Sequence, residues 1–227
     1  MPFTYADLIN QALVDLGAIK PGASPSTTVR DDGFVRLNQM WEGWGQDPTI
    51  SNAQYHQGFT TLAGITNYTF GVGGSFNASA IPVRVYGAES ISGNFRSPVK
   101  VISYEELDEQ AQDTLGSSTV LQTMLACDNA YPVKNVRLFP VPVGGSTLMI
   151  DYWGSMAAFA SVTDTVAVAP AFADALHFNL AIAMLPQYGR QGIDATAIAA
   201  NAAKSLGVIQ QLNRLILGAS LAPQAAA

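Results

Sequence analysis

The stretch Tyr152–Arg190, YWGSMAAFASVTDTVAVAPAFADALHFNLAIAMLPQYGR, changes the apolar period of the chain from two to three and a half. Met149, Ile150, Tyr152 and Trp153 close a β pattern, and Thr163-Asp164 makes a polar turn. Pro170 then opens a helix, since a proline at the first helical position gives up only an N–H that has no partner there. Phe172, Leu176, Leu180, Ala183 and Met184 fall on one stripe, with Phe178, Ile182 and Leu185 beside it. A stripe this wide belongs to a helix buried on more than one side. None of these side chains carries recognisable chemistry. The chain here passes from a β layer to a helical region, and everything upstream is constrained to supply partners for both.

The N-terminal fifty residues are helical in pattern. Thr4 and Asp7 form a capping pair, and Leu8, Ile9, Ala12, Leu13 and Leu16 follow at helical spacing up to Gly17, a suitable C-terminal stop. A loop with Pro21 and Pro25 leads to a second helix, predicted to begin at Thr27 or Thr28 with Asp31 as its capping partner. Phe34, Leu37, Trp41 and Trp44 make its apolar stripe, with Met40 alongside, and Asp47-Pro48 ends it.

From about Gln54 to Trp153 the pattern is β. Phe59 and Thr61, then Tyr68 and Phe70, alternate about Ala-Gly-Ile-Thr-Asn, which predicts a hairpin. Further strands are predicted over 82–91, 99–102, 121–126, 136–139 and 147–152, with a short capped helix opening at Ser103. Pro186 and Gly189 close the long helix, and a last helix begins near Asp194, with Ile198, Ala202, Leu206, Ile209, Leu212 and Ile216 at near-heptad spacing. The final ten residues, GASLAPQAAA, hold neither charge nor period and predict a flexible tail.

This order predicts an α+β protein: a discontinuous helical bundle of N- and C-terminal helices, an inserted, mainly antiparallel β domain, and an extended C-terminal tail. The bundle comprises 1–50 and 166–217, the β-rich insertion 51–165, and the tail 218–227.

Charge narrows the function. Only 12% of residues are charged, about half the usual quarter. A surface so poor in hydrated groups points to burial in an assembly. The net charge is −6, from 11 basic and 17 acidic residues, and no Lys/Arg cluster exists to neutralise phosphates. This argues against a specific nucleic-acid binder but leaves room for a conduit through which DNA slides. The single cysteine, Cys127, precludes an internal disulfide and reads as a buried, inert thiol. The sequence pattern predicts neither a secretory signal nor a membrane span.

Catalytic motifs are not apparent. Gly71-Val-Gly-Gly74 lacks the Lys-Ser/Thr ending of a phosphate loop and the βαβ setting of a dinucleotide site. His56 is expected in a loop, and His177 has no second ligand at i+3 or i+4, so no metal face forms. Glu105, Glu106, Asp108 and Glu109 crowd one short helix and read as a solvated face. The expectation is therefore no catalytic residue, no metal and no cofactor.

Four segments together resemble the head-to-tail adaptor, or tail accessory factor, of short-tailed bacteriophages, the family of packaged-DNA stabilisation proteins. They are Leu13 to Gly22; Leu37-Asn-Gln-Met-Trp-Glu-Gly-Trp44; Phe59 to Gly64 with Tyr68-Thr-Phe-Gly71, Gly73-Gly74, Phe76-Asn77 and Ile81-Pro82; and Phe159, Thr163-Asp164, Pro170, Ala175-Leu176, Asn179-Leu180-Ala181 and Pro186-x-Tyr188-Gly189. The resemblance implies a virion protein of the tail or neck, assembled in the host cytoplasm as a dodecameric ring under the portal. The ring would extend the DNA channel, help retain packaged DNA and carry further tail proteins such as a nozzle, fibre or spike. It implies that the tail, Gly218, Ala219, Ser220, Leu221, Ala222, Pro223, Gln224 and Ala225, reaches the portal. Phe172, Leu176, Leu180, Met184, Ile209, Leu212, Ile216, Trp41 and Trp44 are the residues expected to pack subunits together. Double-stranded DNA would pass without sequence-specific contact, and no membrane is involved. Two other readings are a virion-associated cell-wall-degrading enzyme, with Glu105 and Glu106 as candidate acids, and a receptor- or carbohydrate-binding tail module built on the aromatic β part.

Overall fold

In the computed structural model the structure describes residues 3–51, 53–112 and 118–220, without the side chains of 111–112 and 214–220. The protein is α+β, with five helices and a large mixed sheet among the described residues. It divides into two compact units. One is built from the residues up to 52 and from 157 onward, the other from Ala53–Met156.

The first unit packs four helices: α1 (Tyr5–Asp15), α2 (Thr27–Gly45), α4 (Pro170–Tyr188) and α5 (Ala195–Ser220), with α3 belonging to the second unit. Thr4 caps α1 through a complete capping box, its Oγ1 accepting from the Asp7 N–H while the Asp7 carboxylate accepts from the Thr4 N–H. Gly17 follows the helix at φ 62°, the left-handed stop. Helix α2 is capped by Ser26 rather than by Thr27 or Thr28. Three successive hydroxyl residues carry the same capping chemistry, and the first of them accepts from the Val29 N–H.

Helix α4 packs against α1, α2 and α5. Its Ala175, Leu176, Leu180, Ala181 and Met184 are fully buried. Gly33 of α2 lets this happen. A Cβ there would come within 2.7 Å of Ile9 Cγ2 and 3.3 Å of Met184 Cε, so only glycine permits the three helices to approach this closely.

Residues 157–165, grouped above with the β insertion, lie in the helical unit. The segment lies along α1 and α2. Tyr5 and Ala6 donate backbone bonds to Asp164 and Val162, Asn38 exchanges two bonds with the Phe159 backbone, and Trp41 Nε1 donates to Ala157 O. Phe159 stacks on Tyr5 at 4.1 Å and packs beside Trp41.

The second unit holds β1 (Gln54–Thr60), β2 (Asn67–Gly71), β3 (Phe76–Asn77), β4 (Pro82–Ser92), β5 (Phe95–Ile102), α3 (Tyr104–Gln112), β6 (Ser118–Thr119), β7 (Met124–Cys127), β8 (Lys134–Phe139), β9 (Val141–Pro142) and β10 (Thr147–Gly154). Eight strands form one sheet in the order β1-β10-β4-β5-β7-β8-β2-β3, and β6 and β9 form a small parallel pair. The main sheet is mixed: β5–β7 and β2–β3 pair in parallel, the other neighbours antiparallel.

The sheet curls until its two end strands meet. Gln57 Nε2 donates to Asn77 O at 3.0 Å, its Oε1 accepts from the Ser79 N–H, and Phe59 of β1 stacks on Phe76 of β3 at 5.1 Å. The enclosed core is aromatic, with Phe59, Tyr68, Phe70, Phe76 and Tyr152 around Leu125, Leu138, Leu148 and Ile150. The predicted hairpin of β1 with β2 does not form. β1 pairs with β10 and β2 with β8. Thr61 extends the β1–β10 ladder by donating to Ser146 O, and the Leu62 N–H is taken by the Tyr68 hydroxyl. Phe59 and Phe70 meet edge to face at 5.5 Å inside the curl instead of across a ladder.

A buried polar network fixes one end of this core. Gln122 Oε1 accepts from Ser90 Oγ and Ser146 Oγ, both at 3.1 Å, and Ser146 Oγ pairs with Thr61 Oγ1 at 2.6 Å. Gln122 Nε2 donates to Val120 O, and all four side chains are buried. Such a network rigidifies only if every member is satisfied. Gln122→Leu should therefore cost about 1–3 kcal/mol by removing the buried acceptor shared by the Ser90 and Ser146 hydroxyls. Denaturant unfolding measures this, and a stability equal to wild type would contradict it.

Candidate functional site

The residues expected to pack subunits together are for the most part interior. Phe172, Leu176, Leu180, Met184, Ile209 and Trp41 are buried within the helical unit, and Trp44 is half-buried. Trp41 packs edge to face on Phe172 at 5.9 Å and beside Trp44. Their apolar stripe is used up by the chain's own helices, so they present little surface to another copy. Leu212, 53% exposed, is the member of the set that faces outward. The side chain of Ile216 is among those not described. A stripe in a sequence gives the buried face but not whose helix covers it.

At the C-terminus α5 continues through Gly218, Ala219 and Ser220, where the sequence pattern predicts a flexible tail. No proline interrupts before Pro223, and one glycine in an alanine-rich helix costs only about 1 kcal/mol. Leu221, Ala222, Pro223, Gln224 and Ala225 lie outside the described residues. Upstream, Asn213 Nδ2 donates to the carbonyls of Thr49 and Ile50 at 3.0 Å each, which ties α5 to the segment after α2.

Arg36 is the chief polar anchor that pattern reading passed over. Its Nε donates to Asp32 Oδ2 at 2.9 Å, Nη1 to Ala183 O at 3.2 Å, and Nη2 to Gln187 Oε1. Tyr188 donates its hydroxyl to the same Asp32 oxygen at 3.0 Å. A cation is thus held at the carboxyl end of α4, where the helix dipole favours it. The Arg36 hydrogen bond, helped by Tyr188, holds the Asp32 carboxyl below the ordinary carboxylate range against some desolvation. The signal in sequence was the Asp32-x-x-x-Arg36 pair on one helix face, a spacing that pairs charges.

The acidic turn does not assemble a catalytic pair. Glu106 bonds Lys100 Nζ at 2.5 Å and Asp108 bonds Arg137 Nη1 at 2.5 Å, so α3 is clamped by two ion pairs to neighbouring strands. Glu106 also marks the first turn of α3, its N–H donating to Ser103 Oγ. His56 lies in β1, not in a loop, directly across from Asp151 of β10, and its Nδ1 pairs with that carboxylate. His177 Nε2 lies 3.0 Å from Asp15 Oδ2 without hydrogen-bond alignment. Beside it runs an open groove of about 400 Å³, lined by Asp15, Phe178, Gly192, Ile193, Asp194, Ala197, Ile198 and Asn201. Among the described residues no three His, Cys, Asp or Glu side chains gather as a metal cluster, and no helix is long and apolar enough to cross a membrane.

Cys127 sits half-buried at the end of β7, where burial pushes its thiol up to about 11 against a weak opposing pull from Lys134. The thiolate is the reactive species.

What these residues build is a scaffold: helices locked by apolar packing and a cation clamp, and a curled sheet locked by aromatic stacking and a satisfied polar network. The chain matches the family model described as SU10 adaptor protein over residues 3–224, nearly its full length. It belongs to that family, a family of phage head-to-tail adaptors, and its role is that of a structural component of the virion tail or neck that interacts with the portal and other tail components. No curated protein matches the chain.

Two outcomes follow for the side chains above. Alkylation of Cys127 at pH 8 should be on the order of a hundredfold slower in the folded protein than in denaturant, because so little thiolate is present; equal rates would contradict the burial. Arg36→Ala should cost about 1–2 kcal/mol at pH 7, the pair being partly solvated. Because the folded Asp32 carboxyl is depressed, its stabilisation is present above the ordinary carboxylate range and is lost as pH falls through the folded value. The wild-type advantage over Arg36→Ala should therefore narrow below about pH 4, as read by urea midpoints.

Proposed function

We propose that this adaptor assembles as a ring beneath the portal, extends the DNA channel, helps retain packaged DNA and carries the further tail proteins. The observation that carries the reading is the family match over residues 3–224. The charge inventory supports it. An acidic chain with 11 basic residues among 227, several of them held in ion pairs, can line a conduit without trapping phosphates.

In this reading the helices of 1–50 and 166–217 form the ring body, a dodecamer, and the β-rich insertion 51–165 faces other tail parts. Copies pack through surface left over after the helical core is made, of which Leu212 is part. The end of α5 and the residues beyond it, Gly218, Ala219, Ser220, Leu221, Ala222, Pro223, Gln224 and Ala225, bind the portal. An uncharged segment of this kind pays its ordering cost on docking, and a ring multiplies its modest affinity. The protein is assembled into particles in the host cytoplasm, and DNA passes it during ejection.

Deletion of residues 218–227 is the direct test. Mixed with purified portal rings, the full chain should form a stable complex visible by negative-stain microscopy. The truncated chain should bind at least about tenfold more weakly, the loss expected when a multivalent tail is removed. Undiminished assembly would refute portal docking by this segment.

A further inference from the structure

The curled β unit has two unlike ends. The chain enters it at Ala53 and leaves it at Met156. That end also carries the starts of β1 and β4 and the last residue of β10, since Gln54 faces Trp153 and Pro82 faces Gly154. The register fixes what gathers at the opposite end. Thr60 faces Thr147, Thr147 faces Ile91, Ser92 faces Phe95, Met124 faces Phe139, and Asn67 faces Arg137. The loops 61–66, 92–95, 120–123 and 140–146 therefore share this far end. Three of them are tied together directly: the Gly64 N–H donates to Pro142 O at 2.8 Å and the Val143 N–H to Thr119 O at 3.2 Å.

Five large apolar side chains stand exposed here: Leu62, Ile65, Phe95, Val120 and Val143, at 41–75%. The segments 60–67, 118–123 and 139–147 contain no charged residue. Arg96, next to Phe95, is bound to Glu89. Beneath the tips lies the Thr61–Ser90–Gln122–Ser146 network, so these loops are held on a fixed platform. Apolar tips on a rigid, charge-free end are a costly surface to leave in water and mark a contact site.

We propose that this end of the β unit is the docking surface for another tail component, and that the occupant is an uncharged, apolar protein segment. The identification of the partner as a tail component rests on the adaptor reading above. The chemistry comes from the surface itself. The tip loops themselves carry no carboxylate, ammonium or guanidinium, and the neighbouring Arg96 is already paired with Glu89, so a charged occupant would lose hydration without gaining a free partner. A lipid surface fits less well, because an interfacial binder of acidic membranes carries Lys or Arg around its apolar tips, and these loops have none. A second copy fits less well too. Contact between the same ends of two copies is isologous and closes as a dimer, and contact with a different face of a neighbouring copy is read by the sedimentation arm below.

The experiment complements a phage lacking this gene with the wild-type chain or with the double variant Ile65→Glu/Val143→Glu, and quantifies particle proteins by mass spectrometry. A second, uncharged variant, Ile65→Thr/Val143→Thr, guards against a folding defect, and circular dichroism checks both. The proposal expects both variants on portal-bearing heads at wild-type level, one other tail component depleted, and infectivity down on the order of a hundredfold for the Glu variant and less for the Thr variant. Full tails with unchanged infectivity overturn it. So does absence of the folded variants from heads, which would make this a portal- or copy-facing surface. Sedimentation showing self-association abolished by the variant overturns it in favour of a copy, and flotation with phosphatidylserine-containing vesicles abolished by the variant overturns it in favour of lipid. Absence of the wild-type chain itself from heads would instead refute the adaptor reading.

Discussion

The helical unit depends on the close approach of α1, α2 and α4 at Gly33. A side chain at that position would strike Ile9 and Met184, and a branched neighbour such as Ile9 has little freedom to yield. The approach lets α4 bury residues toward three neighbours at once. Arg36, one turn further along α2, then secures the carboxyl end of the same helix through Ala183 O and Gln187. Apolar packing sets the distance and the cation sets the axial position. The segment 157–165, anchored through Asn38, Trp41 and Phe159, completes the arrangement without adding an element of its own.

The β unit solves a different problem. A sheet with eight strands has two edges, and exposed edges invite unwanted pairing. Here the curl brings β1 and β3 together through Gln57 and through the Phe59–Phe76 stack, so side chains do what a continuous ladder would do in a closed barrel. Interior polar groups are few, and those at the far end satisfy one another through Gln122. Along the strands the ion-paired helix α3 lies on the flank, while the loops at the far end carry no charge of their own.

For an adaptor this distribution has a physical logic. Such a protein must bind on more than one side. Ion pairs such as Lys100–Glu106 and Arg137–Asp108 join helix α3 to its neighbouring strands. Contacts made by apolar or uncharged surface do not weaken with ionic strength as charged contacts do. The low charge content thus suits a part built to be covered.

By itself the sequence determined the helices, the cap of α1, the β character of the middle, the α+β class and the family. These rest on local rules: apolar period, hydroxyl caps, proline and glycine stops. Tertiary structure decided what local rules cannot reach. It decided that β1 pairs with β10 and not with β2, because a ladder to a distant strand outcompeted a loose five-residue turn. It also decided that Leu176, Leu180 and Met184 face their own chain, since a stripe of side chains specifies that it will be buried and not by whom. Arg36, Asn38, Asn213 and Gln122 stayed unread for the same reason: each makes its hydrogen bonds to residues far along the chain, and partners at that range are settled only when the fold brings them together.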